Sequence, residues 1–217
     1  FFFFFGPAVI SGVTNLSFNG AGTVRIVSSQ AGDTNYAAAA VTNSFTVTKA
    51  TASVTLNDLN QTYNGSPRVV TATTTPAGLT VNITYDGSGT APTAGGTYAV
   101  TGTVNEVMYQ GSATGTLTVA KADQSITFPA IQPQLTNTVV ALAATASSGL
   151  PVTEFAVVAG PGVINGTNLT FIGAGDVLIR AMQSGNGSWN AAAAVTNLVK
   201  AFSVSPTGGP VGGGNEV

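Results

Sequence analysis

Residues 6–48 and 160–205 are two copies of one sequence, and this duplication limits the available folds more than any other feature. The first copy reads GPAVISGVTNLSFNGAGTVRIVSSQAGDTNYAAAAVTNSFTVT. The second reads GPGVINGTNLTFIGAGDVLIRAMQSGNGSWNAAAAVTNLVKAFSVS. Gly6-Pro7 matches Gly160-Pro161, Leu16 and Phe18 match Leu169 and Phe171, and Tyr36 matches Trp189. The AAAAVTN of 37–43 recurs at 191–197, so the offset is 153 or 154. Self-similarity at long range is the mark of a chain built from repeated modules.

The alignment also places the opening run Phe1–Phe5, which falls opposite Phe155–Ala159, the position of a core strand. The second copy has about 33 residues (122–154) ahead of that strand for which the first copy has no counterpart. Residues 1–48 are therefore expected to be the C-terminal part of a module, with its front strands upstream or on another chain. Five consecutive phenylalanines are an improbable native sequence and read as added or stand-in residues. They are not a signal peptide, for they lack a basic flank, a long enough apolar stretch and a small-residue cleavage site.

Between the copies lies a different unit, 49–121. Leu79, Val81, Ile83 and Tyr85 alternate with Thr80, Asn82 and Thr84. Tyr98, Val100 and Val104 alternate with threonines and Ala99, and Leu117 and Val119 with Thr116 and Thr118. A period of two with a hydroxyl-bearing outer face predicts half-buried antiparallel strands. Asn64-Gly65, Pro76-Ala-Gly78, Asp86-Gly87 and Gly95-Gly96 supply the turns between them. In 122–205, Ile126 and Phe128 start the module, Val140, Leu142 and Ala144 continue it, Leu169, Phe171, Val177 and Ile179 are expected to alternate inward, and Phe202 and Val204 close it. AAAAVTN is expected as a loop, at most one helical turn, and Tyr36 and Trp189 as core anchors. The fold class predicted is all-β: tandem Ig-like antiparallel β-sandwich modules, the first incomplete.

The junctions repeat as well. FTVTKATASVTL (45–56) and LTVAKADQSITF (117–128) each join a closing strand to an opening one through Lys-Ala, at Lys49 and Lys121. No Gly/Ser linker intervenes, so a semi-rigid array is expected. The boundaries expected are 1–48, 49–121 and 122–205, followed by a Gly-rich, flexible tail at 206–217.

Two stretches carry a family resemblance. VNITYDGSGTAPTAGGTYAVTGTVNEVMYQGSATGTLTVAKA resembles the bacterial MBG family of Ig-like repeats. KADQSITFPAIQPQ, with ALAATASSGLPV and the sequence from Gly166 to Ala192, resembles modules that alternate with it. The resemblance covers nearly all of 6–205. It implies secreted or surface-anchored bacterial proteins made of long module arrays, with stalk or adhesin-like roles and no catalytic residues. Glu154 interrupts the expected strand and Leu198-Val199-Lys200 look inserted, which unsettles the register at both places.

The chemistry on offer is sparse. Only 6% of residues are charged, against about 25% in an average soluble protein. The six cations, Arg25, Lys49, Arg68, Lys121, Arg180 and Lys200, are scattered, which argues against nucleic acid as a partner. Histidine and cysteine are absent. Ser-His and Cys-His nucleophiles, thiolate metal sites and disulfides are thereby excluded. The carboxylates Asp33, Asp58, Asp86, Glu106, Asp123, Glu154, Asp176 and Glu216 are spread over all units and most sit beside turn residues. No catalytic, cofactor-binding or metal-binding residue is assigned, and the chain is read as a non-enzyme without a cofactor. Asp33 with Asn35, and Asn57-Asp58 with Asn60, are the oxygen clusters nearest to a calcium site, yet neither supplies the six to eight ligands calcium takes, and turn chemistry accounts for both. The aromatics Tyr36, Tyr63, Tyr85, Tyr98, Tyr109 and Trp189 are read mainly as packing, with stacking on sugars as the alternative. Expected partners are neighbouring identical modules through self-association, or else a glycan or protein ligand. No stretch approaches the roughly 18 apolar residues of a membrane span, and an extracellular or cell-surface location is expected.

Overall fold

The structure, a computed structural model, describes residues 2–12 and 15–203. Val204, Glu216 and the tail at 206–217 lie outside the described residues. Among those described every regular element is a strand, and none is a helix. The fold is all-β.

The first 48 residues form β1 (Phe2–Phe5), β2 (Ala8–Ser11), β3 (Asn15–Phe18), β4 (Gly22–Gln30) and β5 (Ala39–Val47). Strands β1, β4 and β5 make an antiparallel sheet in that order, and β2 and β3 make a hairpin. Next come β6 (Ala50–Thr51), β7 (Ser53–Asn57), β8 (Asn60–Thr62), β9 (Thr71–Thr75), β10 (Val81–Tyr85), β11 (Gly96–Val104), β12 (Tyr109–Gln110) and β13 (Ser112–Ala120). Here the order is β10-β11-β13-β8 in one sheet, with β7 on β9 and β6 parallel to β12.

The remaining strands are β14 (Ile126–Thr127), β15 (Gln134–Leu135), β16 (Val140–Ala141), β17 (Thr145–Ala146), β18 (Glu154–Ala159), β19 (Gly162–Asn165), β20 (Asn168–Phe171), β21 (Gly175–Met182) and β22 (Val195–Phe202). They pair as β15-β22-β21-β18, β16-β20-β19 and β14-β17. The described backbone groups into two compact units, Phe1–Gln61 with Gly65–Val119, and Thr62–Asn64 with Ala120–Val217.

The alternation read from the sequence sets the burial. Val100 and Val104 on β11, and Leu117 and Val119 on β13, are buried while the threonines between them face outward. Branched Cβ atoms pack well on a pleated surface, which makes Thr and Val natural strand residues. In the second unit one core draws side chains from both sheets: Leu142 and Leu169 meet Val177, Ile179 and Val199. Two sheets closing over a shared core is the sandwich expected.

The Tyr85-Asp86-Gly87 turn shows how one tripeptide does three jobs. Tyr85 ends β10 and turns inward. Asp86 (φ 47°) and Gly87 (φ 84°) then reverse the chain with positive φ at both positions, the demand of a tight hairpin turn. The Asp86 carboxylate accepts a hydrogen bond from Ala99 N–H at 2.8 Å.

Three local expectations are corrected. AAAAVTN is a loop only in part: Ala39–Asn43 belong to β5 in the first copy and Val195–Asn197 to β22 in the second, where Ala191–Ala194 are irregular as expected. No helical turn forms in either copy, as isolated short helices are marginal. Tyr36 is not a core anchor, being 72% exposed. Leu198-Val199-Lys200 are no insertion, for they pair in continuous register with Leu178, Val177 and Asp176. That register points Val199 and Ala201 inward and leaves Phe202 exposed. A shift of one residue moves a whole strand's side chains to the opposite face.

The two copies share a framework. Val24 pairs with Phe45 as Val177 pairs with Val199, and Ala8 with Phe18 as Gly162 with Phe171. The offset changes from 154 to 153 between β2 and β3, where the second copy is one residue shorter.

Candidate functional site

Three places gather side chains that could meet another molecule. The first is an open cleft of about 520 Å³ in the first unit, lined by Pro7, Asn19, Ala21, Lys49, Glu106 and Val107 among others. It sits at the first Lys-Ala junction. Lys49 Nζ donates to the Glu106 carbonyl at 2.6 Å, and Thr80 N–H donates to the Glu106 carboxylate at 2.9 Å. The Thr80 backbone N–H, then its hydroxyl, and the Lys49 charge hold the Glu106 carboxyl below the usual carboxylate range. Ala21 N–H closes the wall on Val107 O. Lys49 and Glu106 are thus engaged in fastening backbone, and no second carboxylate lines the cleft.

The second place lies in the other unit. Tyr63 and Trp189 meet edge to face, with ring centroids 5.4 Å apart. Both are half-buried. Trp189 is set by an Asx turn, in which Asn186 Oδ1 accepts from Ser188 N–H and Trp189 N–H. The first copy repeats this turn with Asp33, whose Oδ1 accepts from Asn35 and Tyr36 N–H at 2.8 and 2.9 Å. Nothing described stacks on Tyr36 as Tyr63 does on Trp189. Of the other tyrosines, Tyr85 is buried and Tyr98 and Tyr109 are half-buried.

The third place is the face of the first copy formed by β3 and β5. Phe18 and Phe45 touch edge to face at 5.9 Å, yet they are 42% and 37% exposed. Their equivalents Phe171 and Val199 are 8% and 0% exposed. Val41 is 71% exposed, whereas its equivalent Val195 is half-buried. Every residue of β5 except Val47 is exposed. The difference is one of cover. In the second copy Ile126, Phe128, Leu142 and Val152 complete the core.

The carboxylates expected to be dispersed are so. Asp58 accepts from Thr71 Oγ1 at 2.6 Å, Asp123 from Asn190 Nδ2 at 2.8 Å, and Glu154, exposed at the start of β18, from Ser184 Oγ at 2.8 Å. Asp176 faces Lys200 at 3.5 Å on the surface. Among the described residues no three acidic side chains converge on one point. The oxygen clusters at Asp33 and Asp58 are engaged in turns. Sequence reasoning overlooked the part played by Asn197, whose amide clamps the chain that covers the second core. Its place in AAAAVTN was the available signal, since the asparagine recurs in both copies.

Residues 52–123 match the model of the MBG domain. This middle segment is MBG-type. MBG domains are structural or binding modules, typically extracellular, and the YDG turn, the β10-β11-β13 sheet and the cleft residue Glu106 all lie inside the matched stretch. Among solved structures the chain is similar to three repeats of mouse cadherin-23 (EC22-24), at 12% identity and a TM-score of 0.29, covering 85% of this chain and 75% of that one. No curated protein matches. No helix among the described residues is long and apolar enough to cross a membrane.

Proposed function

We propose that the chain is a non-enzymatic stretch of an extracellular stalk or fibre on a bacterial surface. It is divided at the two Lys-Ala junctions into 1–48, 49–121 and 122–205. The observation that carries this reading is how each junction is anchored. After Lys49, Ala50 and Ala52 N–H donate to Met108 O and Gln110 O, so the chain runs parallel to β12. After Lys121, Ala122 N–H donates to Ser188 O and Ala122 O accepts from Asn190 N–H. The same step, 72 residues later, is fastened in the same way. These bonds fasten the first residues after each Lys-Ala step onto the module they enter, so no free linker separates a closing strand from the next opening one, and that supports stiffness along an array. The match of 52–123 to a structural or binding module, and the inert Thr-rich outer faces, support the same reading.

Electron microscopy of purified protein tests it. Straight rods of uniform length are expected, and a population bent at all angles about the junctions would refute it. A second reading, an adhesin that takes glycan or protein through its inter-strand loops, is favoured by the exposed ring of Tyr36. Saturable glycan binding abolished by Tyr36→Ala would establish it.

A further inference from the structure

The Asx turn before Trp189 holds the ingredients of a spontaneous covalent change. We propose that Asn186 is a self-modification site, at which the side-chain amide is displaced by the Gly187 backbone nitrogen and water completes the conversion to aspartate and isoaspartate. The inference is independent of the stalk reading.

An asparagine amide is lost when the next backbone nitrogen attacks the side-chain carbonyl. A glycine in that place has no Cβ to obstruct the approach. The chain has four Asn-Gly pairs, beginning at Asn19, Asn64, Asn165 and Asn186. At Asn186 the carbonyl to be attacked is already polarised. Its Oδ1 accepts from Ser188 N–H at 2.8 Å and from Trp189 N–H at 2.9 Å. The attack turns that oxygen into an oxyanion, and donors already aimed at it lower the barrier as an oxyanion hole does. The turn is held from the main chain too, since Asn186 N–H donates to Trp189 O at 3.0 Å. The nucleophile is free to act. Gly187 is exposed, has open space around it, and its N–H makes no hydrogen bond among the described residues. Asn165 differs, because it ends β19 in register with Asn168. Strand pairing there resists the backbone rotation that the attack requires.

The step balances without a cofactor or an oxidant. Gly187 N bonds to Asn186 Cγ and gives its proton to solvent base. The Cγ–Nδ2 bond breaks and ammonia leaves, which closes a cyclic imide. Water then opens the imide. Addition at Cγ restores the ordinary peptide bond and leaves aspartate, while addition at the backbone carbonyl leaves the chain running through Cγ as isoaspartate. The first copy shows that the turn accepts the aspartate product. Asp33 occupies the same place, its Oδ1 accepts from Asn35 and Tyr36 N–H at 2.8 and 2.9 Å, and its N–H donates to Tyr36 O at 2.9 Å. The change therefore brings the second copy to the charge that the first copy carries in its sequence.

The test incubates the intact chain in mildly alkaline buffer and follows the tryptic peptide 181–200 by tandem mass spectrometry, with isoaspartate labelled by an isoaspartyl methyltransferase. Asn186 is expected to convert about tenfold faster in the folded chain than in the same chain unfolded in urea, the gain from donors fixed in advance. It should also convert faster than Asn165 in the folded chain. Gly187→Ala, whose added Cβ meets nothing within 4 Å and so leaves the fold intact by circular dichroism, should slow conversion about tenfold by hindering the approach of the nitrogen. An Asn186 that keeps its amide, a rate no greater in the folded chain than in urea, or a rate unmoved by Gly187→Ala would each overturn the proposal.

Discussion

The Tyr85 hydroxyl accepts a hydrogen bond from the Val70 backbone N–H at 2.8 Å, and both residues are buried. The contact ties the irregular chain before β9 to the end of β10. It also explains why a tyrosine, and not a phenylalanine, begins the YDG turn. Tyr85→Phe keeps the ring and removes the only acceptor given to a buried amide. An orphaned buried donor costs about 1–3 kcal/mol. Urea denaturation should show that loss without a change of fold by circular dichroism, and an unaltered midpoint would show that the amide finds another partner.

Gly6 and Gly160 open the two copies for the same steric reason. A Cβ at Gly160 would stand 2.0 Å from the Asp176 carbonyl oxygen, and one at Gly6 would stand 2.2 Å from that of Thr23. Both glycines also hold positive φ, 95° and 111°. Gly166 has positive φ too, 62°, but open space around it. Gly160→Ala should therefore cost clearly more than Gly166→Ala, whose loss should be about 1–2 kcal/mol from conformation alone. Thermal unfolding of the two variants side by side checks the order, and equal losses would remove the steric argument.

Burial along β11 and β13 was legible in the sequence because period two is a property of the strand itself. Val100, Leu117 and Val119 could be placed without knowing their neighbours. What stands opposite a strand is not local, and there the reading failed. Tyr36 and Trp189 occupy equivalent Asx turns, yet among the described residues only Trp189 meets a second ring. Phe202 was expected to close the module, and the register of β22 against β21 leaves it exposed, for one residue of shift reverses the face. The alanine run shows the same limit, since how much of it joins a strand depends on pairing: Ala39 and Ala40 pair with β4, while Ala191–Ala194 stay outside β22. Of the candidate surfaces, the exposed β3/β5 face depends on what lies against it, which no single strand encodes. The Glu106 cleft gave no signal, because it depends on Lys49 and Thr80 reaching one residue from distant places in the chain.

Glu106 should make stability depend on acid. Hydrogen bonds from Thr80 lower its pKa in the folded state. Its contribution is therefore fully present above the unfolded-state pKa, about 4.3, and is lost as pH falls through the lower folded value. Glu106→Gln keeps an acceptor for Thr80 but no longer titrates. Urea midpoints taken from pH 6 down to pH 3 should fall less steeply for the variant than for the parent. Parallel curves would show that the carboxylate is no better held in the folded chain than in the unfolded one.

Val199 and Phe45 offer a matched pair, equivalent in the repeat and opposite in environment. Val199 is fully buried on β22, while Phe45 is 37% exposed on β5. Placing a hydroxyl at the buried site leaves a polar group without solvent, at a cost of about 1–3 kcal/mol. At the exposed site the hydroxyl reaches water, and only the part of the Phe45 ring packed on Phe18 is forfeited. Val199→Thr should thus lower the unfolding midpoint of its unit measurably, while Phe45→Thr should shift stability by under about 1 kcal/mol. Phe45→Thr should also reduce self-association in light scattering, since it shrinks an exposed apolar patch. If instead Phe45→Thr proves as destabilising as Val199→Thr, the β3/β5 face is already covered in solution, and the contrast between the two copies is lost.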